Sequence, residues 1–419
     1  MKRRVVVTGL GALTPLGNSV SQSWEGAIAG KSGIGPITKF DCSSYKTKIA
    51  GEIKDFDPQQ FVNKQEIRRY DDFILYSLAA SEMAVVDANL MISPEFSART
   101  GVIIGAGFGG ISTVYNEIHT LIKSGPRKIS PFAIPAIIAN LASGHVSIKF
   151  GAKGPINCAV TACAAGTSAI GDAYKTIAYG DADVMITGGV EAAISPLAVG
   201  GFGSMRALSV KNDEPQRASR PFDKDRDGFV IGEGCGIIIL EELSFALKRG
   251  AHIYAELAGY GCTSDAFHMA APPPGHEGAA RSMQIAIKDA CLNPEDVDYI
   301  NAHGTSTPLN DLYETQAIKF LFGKHAGKLM VSSTKSMTGH MLGGTGGVEA
   351  IFAIKALQEG IIPPTINLDN PGEGCDLDYV PKIARHKEIN TAMSNTFGFG
   401  GVNAVLLFKK YSESQVSEA

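Results

Sequence analysis

Short runs of β-branched and other apolar residues recur along the chain between longer helical stretches, and this alternation restricts the fold more than any other feature. Arg4 to Val7, Val102 to Gly105, Ile156 to Val160, Val184 to Thr187 and Cys235 to Leu240 form a first series. Ile253 to Gly259, Val297 to Asn301, Met330 to Ser333 and Val402 to Leu407 form a second. Runs this short, bounded by Gly-rich segments, read as strands covered on both faces, so the expectation is an α/β protein. Each series opens with a strand expected to run into a Gly-x-Gly turn, Gly9-Leu10-Gly11 and Gly259-Tyr260-Gly261, which suggests a divergent duplication. The seam is expected between 241 and 255, where the helical stretch Glu242 to Arg249 ends at Gly250. That gives two halves, 1–250 and 251–411, followed by a polar tail over 412–419 expected to be disordered.

A chain of 419 residues, 44% hydrophobic, has room for a large core and for two or three units. With 19% charged residues and a formal net charge of -4, it lacks the global positive field that recruits nucleic acid. The seven cysteines are an odd number, widely spaced and without a Cys-x-x-Cys pair, which favours reduced thiols. After Met1-Lys2-Arg3-Arg4 the apolar stretch Val5-Val6-Val7 breaks at Thr8-Gly9, so no secretory h-region is expected. No apolar run reaches the roughly 18 residues of a membrane span. A cytoplasmic location is expected, or an organelle matrix after processing, with no membrane partner.

Three segments carry chemistry. In Ile156-Asn157-Cys158-Ala159-Val160-Thr161-Ala162-Cys163-Ala164-Ala165-Gly166, a strand turns sharply into a helix of small residues running to about Tyr179. Cys163 therefore falls at a helix N-terminus, where free N–H groups and the helix dipole favour a thiolate. Most free cysteines are inert buried hydrophobes, and Cys158 keeps that reading. The second and third segments are Asn301-Ala302-His303-Gly304-Thr305-Ser306-Thr307-Pro308 and Thr334-Lys335-Ser336-Met337-Thr338-Gly339-His340-Met341. Each histidine sits in a Gly/Thr-rich loop before a helix, where α/β sites gather. One Cys and two His raise a zinc site as a competitor, but the short ligand spacings are absent and no metal is expected. Gly9-Leu10-Gly11 and Gly105-Ala106-Gly107 lack the full dinucleotide pattern and read as turns.

Together and in order, these segments resemble the active-site motifs of β-ketoacyl-[acyl-carrier-protein] synthases, most closely type II. The resemblance runs from Arg4-Val5-Val6-Val7-Thr8-Gly9-Leu10-Gly11 to Asn395-Thr396-Phe397-Gly398-Phe399-Gly400-Gly401-Val402-Asn403. It implies a thiolase-like fold, with duplicated halves in a five-layered αβαβα arrangement, and a homodimer. By motif match Cys163 is the nucleophile, His303 and His340 the paired histidines, and Lys335 the buried lysine with Asp311 and Glu314 as its acids. Phe399 is the gating phenylalanine, and its backbone N–H joins that of Cys163 in an oxyanion hole. Thr305 and Thr307 hold the pantetheine arm. The implied reaction is decarboxylative condensation of a Cys-bound fatty acyl group with malonyl-acyl carrier protein, in fatty acid elongation. A polyketide-type ketosynthase and a non-catalytic carrier-binding scaffold share the fold and stand as alternatives. No organic cofactor is required; the resemblance leaves room for a structural monovalent cation, with no ligands assignable from sequence.

The chain departs from the pattern at two places. Phe108, in Gly105-Ala106-Gly107-Phe108-Gly109-Gly110, stands where a smaller aliphatic residue commonly lines the acyl pocket, and is expected to favour shorter acyl primers. Ala270, in His268-Met269-Ala270-Ala271-Pro272, replaces a hydroxyl residue near the pantetheine. The carrier protein of this family is acidic, and Lys64, Arg68, Arg69, Arg127, Lys128 and Arg206 match docking positions. Charge clusters are commonly just solvated faces, and rim charges act mainly on association rate.

Overall fold

The computed structural model describes residues 2–412, so the tail expected over 412–419 lies, apart from Ser412, outside the described residues. The strands that position the site are β1 (Val5–Leu13), β2 (Thr100–Ala106), β3 (Ile156–Asn157), β4 (Val184–Glu191), β5 (Gly234–Glu242), β6 (Ala255–Ser264), β7 (Tyr299–Asn301), β8 (Met330–Ser332), β9 (Thr391–Gly398) and β10 (Val402–Lys409). They form one sheet in the order β8-β7-β9-β10-β6-β1-β5-β4-β2-β3. The order is the same in both directions from the centre. β2 pairs in parallel with β3 and β4, while β5 is antiparallel to both β4 and β1. β7 repeats this with β8 and β9, and β10 with β9 and β6. The halves join where β1 runs antiparallel to β6, through Val5↔Leu257, Val6↔Glu256 and Val7↔Ala255. This twofold repetition is the duplication that the two strand series suggested.

The helices used below are α1 (Asp72–Asp87), α2 (Ile111–Ser124), α3 (Leu141–Phe150), α4 (Ala165–Ala178), α5 (Pro196–Ser204), α6 (Glu277–Asp289), α7 (Pro308–Phe322) and α8 (Thr345–Glu359). α1 covers β1 and β5, and α3 covers β2; α6 covers β6 and β10, with α7 packed on α6. Between the sheet halves lie α4 and α8, packed on each other and on strands of both halves. The layers are thus αβαβα. A helix enclosed on all sides must be apolar or small around its circumference. α4 meets this with Ala165, Gly166, Ala169, Ile170, Ala173 and Ile177 buried, and α8 with Val348, Ala350, Ile351, Phe352 and Ile354.

Two expectations are corrected. Gly9-Leu10-Gly11 and Gly259-Tyr260-Gly261 are not turns; they lie inside β1 and β6. A Cβ at Gly9 or Gly11 would run into the carbonyl oxygens of Ala84 and Ala80 in α1, and one at Gly259 or Gly261 into those of Ala286 and Ser282 in α6. The glycines mark close helix–strand approach, which the same sequence pattern signals as readily as a turn. The second correction is β9, absent from the expected strands. Its Ser394, Asn395 and Thr396 are fully buried polar residues, so it lacks the apolar character by which a covered strand is recognised.

Candidate active site

α4 and α8 start in the same way. Each follows a 3₁₀ turn, Ala162–Ala164 and Leu342–Gly344, entered through a residue with positive φ, 51° at Ala162 and 46° at Leu342. Left-handed φ in a non-glycine residue is uncommon and costs energy, so its repetition at equivalent points marks both turns as constrained. Cys163 lies in the first turn, and His340 two residues before the second.

A cavity of about 400 Å³ opens above these turns, lined by Cys163, His303, His340, Thr305, Thr307 and Phe399 among others. The rings of His303 and His340 stand 5.3 Å apart and nearly perpendicular, at 85°. The Glu314 carboxylate fixes the His303 loop, accepting the N–H of His303 at 2.9 Å and that of Gly304 at 2.8 Å. Asn395 donates to the same carboxylate at 3.2 Å. His340 is pinned by backbone: its N–H donates to Val230 at 2.7 Å and its carbonyl accepts from Gly232 at 2.8 Å. Its Nδ1 lies 3.1 Å from the Thr345 hydroxyl, while Nδ1 of His303 is buried without a partner.

Burial, reinforced by the positive charge of Lys335, holds both imidazoles well below the usual histidine range. Both are neutral at pH 7, each offering one N–H donor and one acceptor. Burial also pushes the Cys163 thiol up to about 12, against the lowering expected from a helix tip. Lys335 and the backbone N–H groups of Phe399 and Cys163 itself act in the opposite direction, favouring the thiolate. Desolvation outweighs these aids, and Cys163 rests as a thiol.

Lys335 is buried behind the cavity, and its partner differs from the expected acids. Its Nζ donates to Oε1 of Glu349 at 2.7 Å. Asp311 instead accepts the N–H of Phe222 at 2.8 Å and lies 3.8 Å from the Arg226 guanidinium, tying the loop before β5 to α7. Glu314 feels the Lys335 charge but bonds the His303 loop. Glu349 was missed from sequence, although an acid inside the otherwise apolar Gly346-Gly347-Val348-Glu349-Ala350-Ile351 stretch was a usable signal.

Thr305 and Thr307 share a 2.9 Å hydroxyl contact on the cavity wall. Ala270 also lines the cavity, its backbone N–H donated to Nδ1 of His268 at 3.0 Å. Phe108 is 45% exposed and stands edge-on to Phe202 at 6.0 Å. Phe202, from α5, lies 6.4 Å from Phe399 and 5.3 Å from Phe229, which in turn lies 5.3 Å from His340. Sequence reading had singled out neither Phe202 nor Phe229. Arg206 is exposed at the cavity rim. Lys64, Arg68, Arg69, Arg127 and Lys128 are exposed and do not line the cavity; the Arg69 guanidinium lies over the Phe132 ring at 4.5 Å.

Among the described residues no cluster of His, Cys, Asp and Glu could hold a metal ion. An oxygen-rich spot does lie beside Lys335. Asn301 Oδ1, Ser394 Oγ and Glu349 Oε2 are buried without partners. Asn301 and Ser394 are register neighbours, and Asn301 and Glu349 both reach the Thr334 hydroxyl. Buried oxygens of this kind call for a water or a hard cation.

Comparison with known proteins agrees with this geometry. Residues 2–246 match the beta-ketoacyl synthase N-terminal domain and residues 254–369 the beta-ketoacyl synthase C-terminal domain. A 3-oxoacyl-[acyl-carrier-protein] synthase 2 from Synechocystis sp. is 55% identical over 410 residues, covering 98% of this chain and 99% of that protein. Its namesake from Coxiella burnetii is 53% identical over 409 residues, with the same coverage. Among solved structures, a type II PKS acyl-carrier protein in complex with its ketosynthase superposes with a TM-score of 0.91 at 36% identity, over 98% of this chain and 100% of that one. A beta-ketoacyl synthase from Burkholderia phymatum gives 0.91 at 35%, with the same coverage. With domain matches across both halves and relatives more than half identical along its length, this chain belongs to the beta-ketoacyl synthase family.

Proposed function

We propose that this protein is a 3-oxoacyl-[acyl-carrier-protein] synthase of type II, which extends fatty acyl chains by decarboxylative Claisen condensation. The observation that carries the residue roles is the gathering of a thiol, two neutral imidazoles and N–H donors aimed at the sulfur in one cavity. In the first half-reaction the Cys163 sulfur attacks the acyl thioester, its proton ending on the departing carrier sulfur, and the backbone N–H groups of Cys163 and Phe399 stabilise the oxyanion. Each such donor contributes typically about 3 kcal/mol. The carrier thiol leaves and the acyl group rests on Cys163, which splits one hard step into two easier ones. Malonyl-carrier protein then enters. His303 and His340 donate to its thioester carbonyl, carbon dioxide departs, and the enolate carbon attacks the acyl-cysteine carbonyl. Collapse expels the Cys163 thiolate and yields 3-oxoacyl-carrier protein.

Burial, aided by the Lys335 charge, keeps both imidazoles neutral, and Lys335, paired with Glu349, organises the charge beneath them. Asn301, Ser394 and Glu349 would hold the structural cation that the resemblance leaves room for. Thr305 and Thr307 position the pantetheine arm, while Lys64, Arg68, Arg69, Arg127, Lys128 and Arg206 receive the acidic carrier. The functional halves are 1–250, carrying the nucleophile, and 251–411, carrying the histidines. The test is turnover of a series of acyl-carrier proteins with malonyl-carrier protein, with product analysis and mass mapping of the acylated cysteine. Two-carbon extension through acyl-Cys163 is expected. Turnover restricted to polyketide intermediates would favour a polyketide ketosynthase, and no acylation of Cys163 would favour a carrier-binding scaffold.

The protein acts as a cytoplasmic homodimer. β3 is the edge of the sheet, exposed at Ile156 and Asn157, and an open edge beside apolar surface is a pairing site. Ile156 on this strand and Val160 just after it are exposed apolar side chains. Pairing through β3 makes an isologous interface. Light scattering should give twice the chain mass, and Ile156→Lys should shift it toward the monomer; a monomeric wild type overturns the assignment. No helix among the described residues is long and apolar enough to cross a membrane.

A further inference from the structure

Glu191, the last residue of β4, is a fully buried carboxylate with no part in the steps above. Its Oε2 accepts the N–H of Gly107 at 2.8 Å and that of Gly343 at 3.2 Å, and its Oε1 accepts the N–H of Phe108 at 3.2 Å. These donors come from two loops distant in sequence. One carries Phe108 and enters α2; the other is the Leu342–Gly344 turn that follows His340 and starts α8. The glycines fit this arrangement, since a Cβ at Gly107 would stand 2.5 Å from Oε2 and one at Gly343 2.9 Å from it. Side chains at either position would occupy the space through which the carboxylate reaches the backbone. Among the described residues no cation pairs with Glu191 in a salt bridge, so backbone N–H groups alone compensate a charge that burial disfavours, and its carboxyl is pushed up to about 7. A buried charge satisfied in this way is costly to hold and sensitive to loss of any one donor.

We infer that Glu191 is a positioning residue for acyl selection, a clasp that holds the Phe108 loop against the turn beside His340. The inference rests on the condensing function proposed above. Because both loops hang on one carboxylate, an acyl chain that displaces Phe108 pulls on the Leu342–Gly344 turn, and the state of the acyl pocket is transmitted to the histidine side of the cavity. The Glu191 charge also acts on two nearby thiols, Cys158 and Cys163, raising both.

The test is a double-mutant cycle of Glu191→Gln with Phe108→Ile, read as kcat/KM for short and long acyl-carrier proteins, alongside the pH profile of Cys163 alkylation. A carboxamide keeps one acceptor oxygen but turns an NH₂ group toward N–H donors, so either the Phe108 N–H or the Gly107 and Gly343 pair that bridges the loops loses its acceptor. The expected result is a changed acyl-length profile in Glu191→Gln and a Phe108→Ile effect altered by roughly fivefold in that background, the coupling of residues in one hydrogen-bond network. The alkylation profile should shift to lower pH. Should Glu191→Gln not fold, Glu191→Asp, too short to span both loops, replaces it in the cycle, where additivity alone decides because the charge remains. Additive effects and an unmoved alkylation profile in a variant that still condenses would overturn the clasp. A wild type that does not condense would overturn the function instead.

Discussion

Nζ of Lys335 lies 2.7 Å from Oε1 of Glu349, with the lysine side chain 1% exposed and the glutamate 0%. The pair sits on facing ends of a short helix, Lys335–Thr338, and the buried α8. Neither charge reaches water. Each is tolerated because the other is there, and the lysine's field in turn depresses the basicity of both histidines.

Breaking this pair from either side leaves an uncompensated buried charge. Lys335→Met or Glu349→Leu is expected to cost about 3–5 kcal/mol of stability, while the double variant, which removes both charges, costs much less. Urea unfolding of the three variants against wild type measures this. Equal and additive losses would show that the pair is not a unit.

Cys163, His303 and His340 are readable in the sequence because each lies in a local pattern: a small-residue helix start for Cys163, and Gly/Thr loops for His303 and His340. Whole-chain resemblance then joined them. The partner of Lys335 was not readable that way. Asp311 and Glu314 lie on the helix after His303 and suggest themselves by motif, but Glu349 is brought in by α8, whose placement follows from the repeated topology. β9 escaped for a related reason, since its buried Ser394, Asn395 and Thr396 break the apolar pattern, with Asn395 donating to the Glu314 carboxylate that holds the His303 loop. Polar residues beside a cavity break local rules, and here they do so in the strand that runs into Phe399.

The raised thiol of Cys163 gives a pH signature. A thiol pushed up to about 12 is almost wholly protonated at pH 7, and the reactive thiolate fraction grows tenfold with each pH unit below that value. Alkylation of Cys163 by iodoacetamide should therefore climb through pH 9 without a plateau. Removing the Lys335 charge, which favours the thiolate, should lower the rate at any fixed pH. A plateau near neutrality would mean that the resting site holds a thiolate.

Carrier docking is expected to depend on the exposed cations. Arg69 lies over the Phe132 ring and Arg206 at the cavity rim, two separate exposed positions where contact is expected. Rising salt should raise KM for acyl-carrier protein and leave kcat nearly unchanged, because screened surface charges act on encounter. Charge reversal at Arg69 should reproduce this at low salt. Steady-state kinetics over a salt series decides it, and a salt-independent KM would remove these residues from the docking surface.

Phe108 is where the acyl chain should be selected. Its ring is 45% exposed and meets Phe202 edge-on at 6.0 Å, so it stands free to fill or to vacate the space beside the cavity. An aromatic ring there excludes hydrocarbon that a smaller aliphatic side chain would admit. Burial is worth about 0.8 kcal/mol per CH₂, so each excluded two-carbon unit forfeits roughly 1.6 kcal/mol, or about 15-fold in binding. Phe108→Ile is therefore expected to shift the kcat/KM profile toward longer acyl primers by about that factor per two-carbon step, up to the new limit of the pocket. The competition assay is direct: equimolar acyl-carrier proteins of graded length, malonyl-carrier protein, and product ratios for the two enzymes. An unchanged profile would mean that Phe108 swings aside at little cost, and would point to Phe202, which stands against both Phe108 and Phe399, as the residue that sets the limit.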